Sequence, residues 1–227
     1  MTTILAATRP VETVEALVAW GERVGVETAE RIRTQSADRG TLLHQLVEQY
    51  LLGEPVDRAL IAEVRPWWLS IEPVLQRISE IKLMEMPVYH PLLGYAGTPD
   101  LVANFSLGTA NQRLTLVDWK SADKEKRADW LSDYPIQLAA YCGALRQTHS
   151  LRIEQGMIVL AHPLGPAQVF RFDRQQLSTH WQAWLKRLQQ FWQMSEGHPL
   201  AADVLHYLSL MSVKRLYTNN PLEGKEE

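Results

Sequence analysis

The sequence predicts an α/β protein, a mixed central β-sheet flanked by helices, with helical decorations at both ends. Three observations carry this. Apolar residues recur near every 3.6 positions in the first third and again near the end; short runs with strand character fill the middle; and a helical segment falls between those runs instead of after them. No stretch repeats and no low-complexity linker divides the 227 residues, of which 46% are hydrophobic, so one domain with a substantial core is expected over residues 1–218.

Val11 to Val24 has helical spacing. Gly40-Thr41 opens a second helix through TLLHQLVEQYLL, which Gly53 ends as a left-handed cap. Val56 to Ile81 reads as helix again, broken or restarted at Pro66 beside the Trp67-Trp68 pair. The period then changes. MEMPVYH, YAGTPDLVANF and RLTLVDWK read as three strands of a meander, with turns at Gly94 and across Ser106 to Gln112. Tyr134 to Gln147 returns to helix, with Asp133 as N-cap and Pro135 tolerated in the first turn. MIVLAHP and QVFRF are two further strands. Asp173 to Met194 is a helix with Leu177, Trp181, Trp184, Leu188 and Trp192 on one side. The tail, Asn219 to Glu227, reads as disordered.

Composition removes several classes of function. No apolar run is long enough to cross a bilayer, and the first residues lack the pattern of a targeting segment, so a soluble, cytoplasmic protein without a membrane partner is expected. The one cysteine, Cys142, cannot build a disulfide framework or a four-cysteine iron–sulfur cluster. No G-x-x-x-x-G-K-[ST] loop is present, so no helicase motor is expected. The net charge of -3 gives no bulk attraction to nucleic acid, although an enzyme that meets phosphate through bound cations can be acidic.

LTLVDWKSAD, Leu114 to Asp123, ends an apolar strand in opposite charges. Asp118 and Lys120 share a face with Leu114 and Leu116, and Val117 and Trp119 take the other. Both faces are apolar upstream, so the charges emerge at the strand's C-terminal end, where ligands bind in α/β sheets. A structural ion pair is the plain alternative. Asp100, on a strand just after Gly97-Thr98-Pro99, reads first as ordinary turn chemistry; the other reading is a carboxylate that converges on Asp118 from the neighbouring strand, and two such oxygens suit Mg²⁺ or Mn²⁺, with the Trp119 carbonyl as a third. His44, beside Leu43 and Val47 on a helix, is by itself an ordinary packed or surface residue. Gln137 and Tyr141, four apart, stack on one helix side, as core-edge pairs commonly do.

In chain order, His44 on a helix, GTPD, VDWKS and QLAAY resemble the PD-(D/E)xK nuclease superfamily in its RecB-like exonuclease branch, over roughly Arg39 to Leu145. The resemblance implies a restriction-endonuclease-like core at about residues 39–172 and a stand-alone, Mg²⁺- or Mn²⁺-dependent deoxyribonuclease without an iron–sulfur cluster. By motif position it implies His44, Asp100 and Asp118 as side-chain metal ligands and the Trp119 carbonyl as another. Asp100, Asp118 and Lys120 become the catalytic group, followed by Ser121. Gln137 and Tyr141 match an accessory Q-x-x-x-Y, and Glu85 an additional acidic position that reads equally as an exposed strand glutamate. Lys124, Lys126 and Arg127 form a basic cluster that either tracks DNA or is a solvated loop. Trp67 and Trp68 either stack bases of a single strand or pack in the core. The expected function is a DNA exonuclease preferring single-stranded ends, in replication, recombination or repair, bacterial or phage-encoded, working alone or with a separate recombination or replication protein. A structure-specific endonuclease and a non-catalytic DNA-binding subunit are the alternatives.

Overall fold

A computed structural model describes residues 1–105 and 113–213. The expected turn at Ser106 to Gln112 and the tail at Asn219 to Glu227 lie outside the described residues. Five helices come first: α1 (Thr2–Ala7), α2 (Val11–Val24), α3 (Val26–Leu52), α4 (Arg58–Glu63) and α5 (Arg65–Leu75). Strands β1 (Ile78–Met84), β2 (Val88–His90), β3 (Tyr95–Gly97), β4 (Leu101–Phe105) and β5 (Arg113–Ser121) follow. Then come α6 (Tyr134–His149), β6 (Gln155–Ala161), β7 (Gln168–Phe172), α7 (Arg174–Met194) and α8 (Ala201–Val213).

The main sheet has the order β1-β4-β5-β6-β7, and only β5 and β6 run parallel. A parallel pair needs a crossover, and α6 supplies it, so α6 is laid across the sheet beside β5. Alternation then sorts the side chains. Leu116 joins a core with α6, α7, α8 and α1, while Val117 and Trp119 join a core with α3 and α5. All seven residues of β6 are buried, as expected of a strand covered on both sides.

The α3 cap is as expected: Gly53 takes φ 70°, and its amide bonds the last turn. The start of that helix is earlier than Gly40, because the polar stretch from Val26 continues the same helix for 27 residues, roughly 40 Å. Helix α7 matches closely, with its five apolar side chains buried and Asp173 and Gln176 closing a capping box.

Three expectations fail for physical reasons. Ile78 to Ile81 is strand, not helix. Register shifts at Ser79/Ile81 and Ile81/Leu83 destroy the period-two alternation, leaving a three-residue spacing that imitates a helical stripe. The three-strand meander is instead five strands, since β2 and β3 pair only with each other as a separate two-stranded sheet. Asp133 occupies the N-cap position of α6 without capping it, because its carboxylate accepts a 3.0 Å bond from Arg187.

Candidate active site

Register brings the two aspartates together. Leu101 pairs with Val117, so one step outward Asp100 comes level with Asp118. Asp100 lies just ahead of β4 rather than within it. Its Oδ2 accepts a 2.7 Å bond from the Trp119 amide, which clamps it to the end of β5. Helix α3 crosses the same end and sets His44 Nε2 3.1 Å from the Trp119 carbonyl oxygen, with Nδ1 3.5 Å from Glu85 Oε1 and 3.8 Å from Asp100 Oδ1.

Glu85 completes a group in which His44, Glu85 and Asp100 each offer one ligand atom, all within 4.8 Å of one another. It follows β1 instead of standing on it, and holds φ 46°, a left-handed conformation that costs a non-glycine residue of order 1 kcal/mol or more. Its amide donates to the Asp100 carbonyl at 3.1 Å, so the bend that strains Glu85 also ties it to the aspartate. Beyond these residues an open cleft of about 470 Å³ runs along α3, lined by Thr41, His44, Gln45, Glu48 and Glu85.

Asp118 stands slightly apart. It is 1% exposed and forms an ion pair through Oδ2 with the Lys120 ammonium, while Oδ1 meets no donor among the described residues. An orphaned buried carboxylate oxygen is costly unless something positive completes it. Burial and the facing Asp118 charge push Asp100 up to about 7, against the opposing pull of His44 and Lys120. Burial lowers the His44 pKa, but Glu85, Asp100 and Asp118 outweigh it and the net shift is upward. Lys120 behaves likewise: desolvation lowers it, Asp118 and Asp100 raise it further, and it stays an ammonium.

These observations fit a divalent cation. Hard carboxylate oxygens of Asp100, Asp118 and Glu85, the Trp119 carbonyl and the His44 imidazole are the donor types such an ion takes, and the crowding of negative charge is what it would relieve.

The supporting residues sort themselves by contact. Gln137 donates to the Tyr141 hydroxyl at 3.1 Å, one turn apart on α6. Burial, then the Asp118 charge, raises the Tyr141 phenol, so it stays protonated beside the carboxylates. Trp68 is 4% exposed and meets Tyr50 edge-on, so it packs in the core and presents no face to a base. Trp67 is also committed: its indole N–H donates to the Ala122 carbonyl at 2.7 Å, and Arg39 lies over its ring at 4.6 Å. Arg127 is engaged by Asp129 at 3.1 Å, and Lys124 is exposed.

Arg39 was not anticipated as a site residue. It donates to Ser121 at 3.3 Å and to Asp123 at 2.8 Å, so with Trp67 it straps the outgoing end of β5 onto α3 and α5. Its one sequence signal is its place five residues before His44 on the same helix.

A central strand ending in Asp-x-Lys, level with a second aspartate and crossed by a histidine-bearing helix, defines a nuclease core. The chain belongs to the PD-(D/E)XK nuclease superfamily, whose family model matches residues 19–204. Within it, the chain is similar to mitochondrial genome maintenance exonuclease 1. It is 30% identical to the Mus musculus protein over 204 residues, 84% of this chain and 58% of that one. For the Xenopus tropicalis protein the identity is 30%, over 84% of this chain and 56% of that one; for the Homo sapiens protein it is 27%, over 84% and 57%. The chain therefore spans a little under three fifths of these relatives' length. A solved structure from Eubacterium rectale overlaps 70% of this chain and 68% of that chain at a TM-score of 0.45 and 14% identity, a likeness too slight to decide anything. Among the described residues, no helix is long and apolar enough to cross a membrane.

Proposed function

We propose that the protein is a Mg²⁺- or Mn²⁺-dependent DNA exonuclease that prefers single-stranded ends and serves replication, recombination or repair. The observation that carries this is the meeting of Asp100, Asp118, Lys120 and His44 at the C-terminal end of β5, in a chain similar to exonucleases.

Asp100, Asp118 and His44 would hold the cation, with Glu85 beside them and the Trp119 carbonyl as a further ligand. When bound there, such an ion would activate water at neutral pH and neutralise charge on the scissile phosphate. Lys120, kept cationic by its carboxylate neighbours, hydrogen-bonds the attacking water or a non-bridging oxygen and stabilises the negative charge that grows as the phosphorus–oxygen bond breaks. Gln137 and Tyr141 brace the α6 side of the pocket. Arg39 and Trp67 keep the strand end from fraying, so the donors stay preorganised.

Degradation of end-labelled single-stranded, double-stranded and circular DNA, with Mg²⁺, Mn²⁺ or EDTA, tests the proposal. Metal-dependent loss of linear single strands with circles left intact is expected. Efficient cutting of closed circles makes the protein an endonuclease, and DNA binding without any hydrolysis makes it a binding subunit on a nuclease fold.

A further inference from the structure

Three cations leave β5 on one loop, and only one of them is built into the site. Arg127 is taken by the Asp129 carboxylate through two 3.1 Å bonds and covers Trp130 at 5.8 Å. Lys124 stands in solvent. Lys126 is half-buried and held by its backbone. Its amide donates to Gln168 Oε1 at 2.7 Å, and its carbonyl accepts from Gln168 Nε2 at 3.1 Å.

Gln168 is the first residue of β7 and pairs in register with Leu160 of β6, so this reciprocal amide pair fixes the loop to the sheet. The ammonium that results stands 5.2 Å from the centre of the Tyr134 ring, which Lys120 also covers, at 5.1 Å. One ring at the start of α6 is thus a platform for two cations. Lys120 answers to Asp118, whereas Lys126 forms no ion pair with any described carboxylate. Cation–π attraction at such a half-exposed position is weak and uses none of the ammonium's hydrogen-bond donors, so they stay open to an anion.

We infer that Lys126 binds a backbone phosphate of the polynucleotide next to the one being cleaved, and that Gln168 is the positioning residue that holds it there. The inference rests on the nuclease reading and adds to it the residue that registers the strand. Lys gives a point charge without base recognition, so the contact carries no sequence preference.

Fluorescence anisotropy of a labelled single-stranded oligonucleotide, titrated in EDTA across about 50 to 200 mM salt, measures this apart from hydrolysis. Lys126→Gln weakens binding roughly tenfold and lowers the slope of log affinity against log salt by about one contact, and Lys126→Arg recovers most of the loss. Gln168→Leu weakens binding in the wild-type background and has little further effect in the Lys126→Gln background, because it acts through the same side chain. Lys186→Gln, the same charge change on the outer helix α7, leaves affinity unaltered. Wild-type affinity and slope in Lys126→Gln, in protein that still hydrolyses DNA, overturn the inference and leave the nuclease reading standing. A wild-type protein that neither binds nor hydrolyses any polynucleotide removes both.

Discussion

Two histidines mark the difference between the layers on either side of the sheet. His90, in the core shared with α6 and α7, is 5% exposed, stacks against Tyr95 at 5.4 Å and Trp181 at 6.3 Å, and is pushed down to about 4 by burial. His44, on α3, faces Glu85 and Asp100 and is shifted the other way. The tryptophan-rich layer expels charge: the Tyr95 phenol and Cys142 thiol are likewise driven toward their neutral forms. The edge where α3 meets the end of β5 collects it. Each layer has its own core, and β5 belongs to both: the face of Leu116 runs on to Asp118 and Lys120, while Val117 and Trp119 pack with α3 and α5.

The sharpest separation comes from the charged end. Lys120→Ala is expected to reduce DNA hydrolysis by about a hundredfold or more, since an electrostatic donor at the reacting phosphate is lost. It is also expected to destabilise the fold by roughly 3 kcal/mol, because Asp118 is left as an unpaired buried charge. Pairing it with Asp118→Asn restores stability but not activity, which steady-state kinetics and chemical denaturation together check.

Next in size is an attack on the closed layer. A methyl at Gly143 would overlap the Trp181 ring and press on the Tyr95 hydroxyl where α6 and α7 approach. Gly143→Ala should cost about 1–3 kcal/mol in denaturant titrations while hydrolysis per folded molecule stays near wild type.

The layers should also answer pH with opposite signs. His90 has a folded value near 4 and an unfolded value near 6.5, so its contribution is whole above about 6.5 and is lost as pH falls toward 4. Asp100 is raised from about 3.8 to about 7, so without metal its contribution is whole below about 3.8 and is lost as pH rises through 7. His90→Phe should therefore flatten the acid side of a stability–pH curve measured in EDTA, and Asp100→Asn the neutral side.

The smallest effect tests the strap at the junction. Trp67→Phe removes one hydrogen bond and weakens the Arg39 contact, so a loss of about 1 kcal/mol is expected, with a modest fall in activity. Thermal melts and the DNA assay read the two separately.

Much of this division was legible in the sequence. Alternation along LTLVDWKS assigned Asp118 and Lys120 to one face and Trp119 to the other, because a strand's side-chain period is strict. The spacing of Leu177, Trp181, Trp184, Leu188 and Trp192 defined the α7 stripe for the same kind of reason. What escaped was non-local or irregular. The β1 bulges disguised a strand, the Glu85 left-handed bend has no residue signature, and Arg39 acquires its role from Ser121 and Asp123, over eighty positions away. The Trp67-Trp68 pair kept two readings, base stacking and core packing, because an aromatic beside a site and one sealed under it look alike until the packing is seen; the packing reading holds for Trp68.

The proposed seat for a cation at the charged end of β5 bears the most weight. Anomalous diffraction from crystals soaked in Mn²⁺ tests this most directly. It predicts one strong peak bounded by Asp100, Asp118, Glu85 and His44, absent in Asp100→Asn and retained in His90→Phe. A saturating soak with no peak there, or manganese bound only elsewhere on the protein, would contradict it.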